Sequence, residues 1–169
     1  MKGLVITMSQ WTDMYKEKTV SAAEAVKIIK DHDWVDYGMA TSQPIVLDKA
    51  LAARKDELKD IKVRMAFSLS PRHIIDEDPE RKTFTAMNWH MSGYDRKLCS
   101  QGLSNFIPMM YRNKPSIYRD ILDVDVAMIT VSPMDKHGFF TFGSTVSATA
   151  EICKKAKKVI LEVNEAAPR

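Results

Sequence analysis

"VDVAMITVSPMDKHGFFTFG", residues 124–143, holds the run that decides the fold. Val124 to Ser132 is apolar and β-prone with almost no polar alternation, the pattern of a strand buried on both faces. Pro133 stops it, because proline has no N–H to give to a ladder. Asp135, Lys136 and His137 then precede Gly138, and Phe139, Phe140 and Phe142 lead to Gly143. A buried strand that ends in a polar, proline-led turn is the form of either a hairpin or an active-site loop.

Outward from this strand, helices and strands alternate. Downstream, "SATAEICKKAK" (147–157) reads as a helix and "KVILEVN" (158–164) as a strand. Upstream, "SAAEAVKIIKD" opens with Ser21 and Glu24 in capping-box spacing, and Ala22, Ala25, Val26 and Ile29 form an apolar helical face. "WVDYG" (34–38) is a short strand, and 44–58 a helix with Pro44 near its first position. "IKVRMAF" (61–67) is the next strand. The segment 84–93 is extended, 94–102 a helix with a glycine stop, 106–111 strand-like and 115–122 a short helix. This alternation predicts an α/β fold: an open, mainly parallel sheet flanked by helices.

With 169 residues the chain has room for one domain with a sizeable core. Residues 1–20 read as an N-terminal extension and lead-in, and 21–169 as a single α/β domain. A strand as apolar as "KVILEVN" normally lies inside a sheet, yet the sequence ends five residues later at Arg169. The expectation is a half-molecule.

Composition narrows the class. Hydrophobic residues are 45% and charged residues 28%, with a formal charge of +3, a profile of soluble globular proteins. Lys and Arg are dispersed, and "KKAKK" (154–158) reads as the exposed end of a helix, where cations suit the dipole. No basic stripe interleaved with aromatics supports nucleic-acid binding. Cys99 and Cys153 are isolated and fit reduced thiols of a cytoplasmic protein. "MKGLVITM" is too short an apolar run for a signal peptide or a membrane span.

In an open α/β sheet, ligands bind beyond the carboxyl ends of the strands. Four segments fall there: 39–44, 68–73, 132–140 and 164–169. His137 has the chemistry of an acid, a base or a carbonyl donor, although a surface turn histidine beside glycine is the commoner case. Asp135 after proline usually accepts hydrogen bonds from its own turn. Asn88, Trp89 and His90 precede Ser92-Gly93 and offer either a pocket wall or a buried aromatic anchor. Glu165 is a carboxylate with no partner in view. The eleven methionines most simply fill core gaps. No phosphate-cradling P-loop, dinucleotide fingerprint or G-x-S-x-G elbow occurs, and His32, His73, His90 and His137 lack metal-ligand spacing. Spacing alone gives an α/β domain with a plausible site face and no reaction.

Five blocks in order carry a resemblance: "WVDYG", "NWHMSGYDRK", "FIPMMYRNKPSIYRD", "VDVAMITVSPMDKHGFFTFG" and "VILEVNEAAPR". From about Trp11 onward the chain resembles the amino-terminal half of the acetyl-CoA hydrolase/transferase family, in its butyryl-CoA:acetate and 4-hydroxybutyrate CoA-transferase branch. The resemblance implies a NagB/RpiA/CoA-transferase-like fold, with the site in a cleft between two similar domains. It implies exchange of coenzyme A between an acyl-CoA thioester and a short-chain carboxylate. A glutamate attacks the acyl carbonyl, the released thiolate attacks the mixed anhydride, and the glutamyl-CoA thioester passes CoA to the acceptor acid. Backbone amides of a Gly-containing loop would stabilise the oxyanion.

That glutamate, its oxyanion loop and most CoA contacts lie in the family's carboxyl-terminal half, so no catalytic residue is expected here, and Glu165 is not the nucleophile. The expected contribution is the other cleft wall: Met39, Thr41 and Gln43, then Asn88 and His90, then Ser132, Pro133, Asp135, His137, Gly138 and Phe140. The implied partners are acyl-CoA, a short-chain carboxylate and a carboxyl-terminal half or separate second subunit, in an oligomer of the cytoplasm. No permanently bound cofactor, metal, nucleic acid or membrane is expected. Three other readings stay open: an acyl-CoA hydrolase, a sugar-phosphate isomerase using "GSTVSAT" (143–149), and a non-catalytic assembly module.

Overall fold

The computed structural model describes residues 8–169; most of "MKGLVITM" lies outside them. Six strands, β1 (Trp34–Met39), β2 (Ile61–Ala66), β3 (Phe84–Asn88), β4 (Asn105–Phe106), β5 (Val124–Val131) and β6 (Ala156–Val163), form one sheet. Every pairing is parallel, and the order is β4-β3-β2-β1-β5-β6. The chain therefore steps outward from β1 in one direction, returns, and steps outward in the other. Among the described residues seven α-helices accompany it: α1 (Met8–Lys18), α2 (Ala22–Ala25), α3 (Val46–Ala52), α4 (His73–Asp76), α5 (Gly93–Ser100), α6 (Lys114–Asp120) and α7 (Thr149–Lys155).

The expected buried strand is β5. It lies between β1 and β6, with Val126 beside Val35 and Val159 beside Ala127. One face of the sheet packs Val35, Tyr37, Val63 and Val126 against Val26, Leu51, Ile74 and Leu98. The other packs Ala127, Ile129 and Val131 against Trp89, Tyr118 and Ile152. Each fully buried aliphatic side chain contributes about 1.5–3 kcal/mol relative to an exposed one, so this two-sided burial holds the layers together. Beneath β1 and β2, the Arg64 guanidinium grips the Asp36 carboxylate (Nε–Oδ1 3.0 Å, Nη2–Oδ2 2.6 Å), and the Tyr118 hydroxyl donates to the same carboxylate. Burial raises the Asp36 carboxyl above the usual range, and Arg64 opposes that rise.

Several elements are shorter than their sequence pattern. The Ser21 helix face does reach the core, but after one turn it tightens into a 3₁₀ turn at Val26–Ile28. There the Asp33 carboxylate takes the Lys30 amide, and Arg54 takes the carbonyls of Val26 and Ile29. Only half of the expected capping box forms: Ser21 accepts from the Glu24 amide, while the Glu24 carboxylate pairs with Lys27 at 2.6 Å. A complete box stands instead at Ser92 and Asp95, opening α5.

The helix expected over 44–58 is regular only over α3. Its amino end is capped from outside the segment: Glu162 on β6 accepts from the amides of Ile45 (3.0 Å) and Leu47 (2.8 Å). The strand expected over 106–111 is cut to two residues, and Pro108 can donate no ladder bond. The "KKAKK" cluster straddles the end of α7 and the start of β6, where Lys157 pairs with Asp125 at 2.7 Å. "KVILEVN" lies at the sheet edge, not inside it, with Val159 and Leu161 exposed.

Candidate active-site crevice

A doubly wound sheet opens a crevice where its strand order reverses, at the carboxyl ends of the two strands whose connections leave in opposite directions. Here those strands are β1 and β5. The register of β1 on β2 slips by one residue between Asp36 and Met39, a bulge that re-aims the strand end. Gly38 permits the tight return: a Cβ there would stand 2.7 Å from the carbonyl carbon and the Cβ of Ser42. Ala40 follows with a left-handed φ of 50°.

Hydroxyls then tie the loop after β1 to the loop after β5. Ser42, fully buried, reaches the carbonyls of Phe142 (3.1 Å) and Thr145 (2.6 Å). Thr41 pairs with the hydroxyls of Ser144 (2.8 Å) and Thr145 (2.6 Å). Thr130 donates to the Gln43 carbonyl at 3.1 Å. Thus Ser144 and Thr145, two of the four hydroxyl residues of "GSTVSAT", join the two loops to one another.

The opening stretch folds as a pinched loop. Ser132 N donates to the Thr141 carbonyl, and the Ser132 hydroxyl accepts from the Thr141 amide, both at 3.0 Å. Inside the pinch, one Asp135 oxygen accepts from the amides of His137 (2.8 Å) and Phe139 (2.9 Å), and the other pairs with Arg169 at 2.8 Å. The Phe139 amide, with His137 and Arg169, holds this carboxyl below its ordinary range. Asp135 thus takes the turn-forming role common after proline and meets His137 through its backbone. The His137 side chain is exposed, and Pro133 accepts at its carbonyl from Ser132.

Gly138 (φ +84°) carries the Trp11 indole on its Cα: a Cβ would stand 2.7 Å from the ring. Tyr15 packs on Phe140 with ring centroids 6.0 Å apart. The amino-terminal helix α1 therefore braces the loop. Its signal was present in the sequence as Trp11, Met14, Tyr15 and Lys18, spaced i, i+3, i+4, i+7.

Three of the residues expected to line the cleft are buried: Gln43, Asn88 and Ser132. Gln43 donates from Nε2 to the Ala66 carbonyl at 3.1 Å, and Asn88 donates to the Ser104 hydroxyl at 3.0 Å. Met39 and His90 lie at the open carboxyl ends of β1 and β3 and are joined by two residues absent from the sequence-derived set. The His90 ring lies 6.2 Å from Phe67 and 5.8 Å from Tyr111, and the Tyr111 hydroxyl lies 3.6 Å from the Met39 sulfur.

Of the carboxylates around the crevice, Asp135 and Glu162 are held by backbone amides, and Asp95 is buried under the Ser68 and Ser92 amides. Among the described residues, no three His, Cys, Asp or Glu side chains converge as a metal would need, and no helix is long and apolar enough to cross a membrane. Burial pushes the Cys153 thiol up to about 11, the behaviour of an inert packed cysteine.

The model of the acetyl-CoA hydrolase/transferase N-terminal domain matches residues 6–169. The chain belongs to that family. It is 45% identical over 156 residues to the butyryl-CoA:acetate CoA-transferase of Anaerostipes caccae, which covers 92% of this chain and 35% of that protein. It is 32% identical to the 4-hydroxybutyrate coenzyme A transferase of Clostridium kluyveri, over 95% of this chain and 37% of the other. The solved structure of RipA from Yersinia pestis superposes with a TM-score of 0.84 at 26% identity, over 94% of this chain and 39% of that one. The chain thus spans little more than a third of the length of the relatives it matches, and the α/β fold with a parallel sheet is the family's own.

Proposed function

We propose that this chain is the first domain of a CoA-transferase that moves CoA between an acyl-CoA thioester and a short-chain carboxylate of the acetate, butyrate or 4-hydroxybutyrate type. The observation that carries the proposal is the family match along nearly the whole chain, whose two most specific blocks, "VSPMDKHGFFTFG" and "EVNEAAPR", meet at the crevice through the Arg169–Asp135 pair. This domain supplies one wall. The loops after β1 and β5 and the end of β3 shape the acyl side and shield the thioester from water. The glutamate that forms the glutamyl-CoA thioester comes from a carboxyl-terminal half or a second subunit, which fits the commitment of Asp95, Asp135 and Glu162 to structural bonds. The assembled protein works in the cytoplasm as an oligomer and holds CoA as substrate, with no resident cofactor.

The test is reconstitution. The chain is co-expressed with, or joined to, the remaining carboxyl-terminal portion of the Anaerostipes transferase, and acetate-dependent consumption of butyryl-CoA is followed. Transfer by the complex and none by the 169-residue chain is the expected result. Association without transfer would favour an assembly module, and thioester loss without acetate a hydrolase.

A further inference from the structure

Among the described residues, the sheet ends on one side at a strand with a bare flank. β6 pairs with β5 alone, so half of its backbone groups have no ladder partner. The Asn164 amide donates to the Val131 carbonyl at 2.9 Å, and successive residues of a strand turn their N–H and C=O groups to opposite sides. Lys158, Ile160 and Glu162 therefore face β5, while Val159 and Leu161 turn their amides and carbonyls to the open edge.

The devices that usually guard such an edge are missing from its middle. No proline or glycine interrupts β6, and its lysines stand near its start, where Asp125 holds Lys157 at 2.7 Å. Val159 is 42% exposed and Leu161 36%. Against this edge lies an apolar gap of about 690 Å³, lined among others by Trp11, Met14, Val46 and Leu161. A single soluble chain rarely leaves an apolar edge of this length uncovered.

The edge is also complementary to itself. In "KVILE", residues 158–162, a cation stands two places before Ile160 and an anion two places after it. An antiparallel copy centred on Ile160 sets Lys158 opposite Glu162 of the partner and Val159 opposite Leu161 of the partner, each pair occurring twice. In that register the outward groups of Val159 and Leu161 meet as a pair that exchanges both hydrogen bonds. A slip of one residue would set outward groups against inward ones, and a slip of two would part Lys158 from Glu162. Both charges have bonding capacity to spare: Glu162 accepts one amide at each oxygen, and the Lys158 ammonium reaches the Ile28 carbonyl at 3.2 Å with two donors left.

We propose that β6 pairs with the β6 of a second copy of this chain, antiparallel about a two-fold axis at Ile160, joining two six-stranded sheets into one. The contact is isologous and closes on itself, so it makes a dimer and not a fibre. Cross-strand charge pairs and aliphatic pairs hold it. It does not depend on the transferase reading.

The test is the mass of the 169-residue chain by light scattering across a dilution series. The expected particle has twice the 19.2 kDa of one chain, and a 19.2 kDa particle at every concentration overturns the proposal. Val159→Lys, at an exposed position, is expected to abolish the dimer and keep the parent's circular-dichroism spectrum; a dimer that survives it overturns the proposal. Lys158→Glu sets like charges opposite each other twice and raises the dissociation constant about tenfold. Oxidation of cysteine variants reads the register. Val159→Cys mixed with Leu161→Cys brings Cα atoms about 5.5 Å apart, within disulfide reach, whereas either variant alone leaves them on a diagonal of about 7–8 Å. Cross-linking in the mixture no greater than in the single variants overturns the proposed pairing. A monomeric parent whose β6 amides gain exchange protection only on adding the carboxyl-terminal portion of the Anaerostipes transferase assigns the edge to that portion and overturns the proposal as well.

Discussion

Gly38→Ala tests whether the crevice is built by close backbone approach. The new methyl would stand 2.7 Å from the carbonyl carbon and the Cβ of Ser42, inside the 3.4–4 Å of ordinary contact, and the obstacle is backbone with little freedom to swing away. The 40–42 turn must retreat, which strains a packed region by about 1–3 kcal/mol. The retreat also pulls the Ser42 hydroxyl from the carbonyls of Phe142 and Thr145, at about 1 kcal/mol each. The sum is about 3–5 kcal/mol, and for a chain of this length each kcal/mol lowers the melting temperature by about 2–4 °C. A drop of about 10 °C is therefore expected in a circular-dichroism or calorimetric melt. Gly102→Ala is the control: its φ is +73° with no atom within 4 Å, so it carries only the left-handed penalty of about 1–2 kcal/mol. The reasoning is refuted if Gly38→Ala melts no lower than Gly102→Ala.

Arg64→Met leaves the Asp36 carboxylate buried without its partner and is expected to destabilise the chain by about 3–5 kcal/mol in urea unfolding, with part of the loss recovered on adding Asp36→Asn. Burial lowers the Lys114 ammonium to about 8 from an ordinary 10.5, so below pH 8 the folded state alone bears the penalty of a buried charge. As pH rises from 8 to 10.5 the unfolded chain holds the extra proton, and stability rises by about 3 kcal/mol relative to Lys114→Met; parallel melts of the two proteins that keep a constant separation across that range would sink this. Trp11→Ala removes the brace on Gly138 and should speed amide exchange at Phe139 and Thr141 about three- to tenfold. Leu161→Lys places a charge on the apolar edge strand β6, and gel filtration of the isolated chain should show less self-association than the parent.

The architecture was legible because its strands are apolar runs separated by cap and turn residues. Val124–Ser132 announced the buried strand β5, and Ser21 a helix start. What escaped has identifiable causes. The Ser92–Asp95 box carries aspartate where the usual pattern has glutamate or glutamine. Glu162 caps α3 from a strand 115 or more residues away, beyond any local pattern. The edge position of β6 is a property of neighbours, so its apolar sequence pointed inward. In the site, the turn-forming role of Asp135 was readable from its place after proline, and Met39 and His90 were readable as strand-end residues. Phe67 and Ala40 were not, since nothing in a phenylalanine or an alanine signals positive φ.

The pairing of β1 with β5 has a further meaning for synthesis. Trp34 donates its amide to Asp125, 91 residues later, and the acceptors of the Ser42 hydroxyl lie 100 and 103 residues downstream. On a ribosome, β1 can pair with β2 early, while its other flank stays bare until β5 emerges, a wait of about 5–20 s at usual elongation rates. That flank of β1 is thus open throughout the making of the chain's middle third. Such long-range parallel pairing is slow to close, so the crevice is the last part of this domain to come into existence.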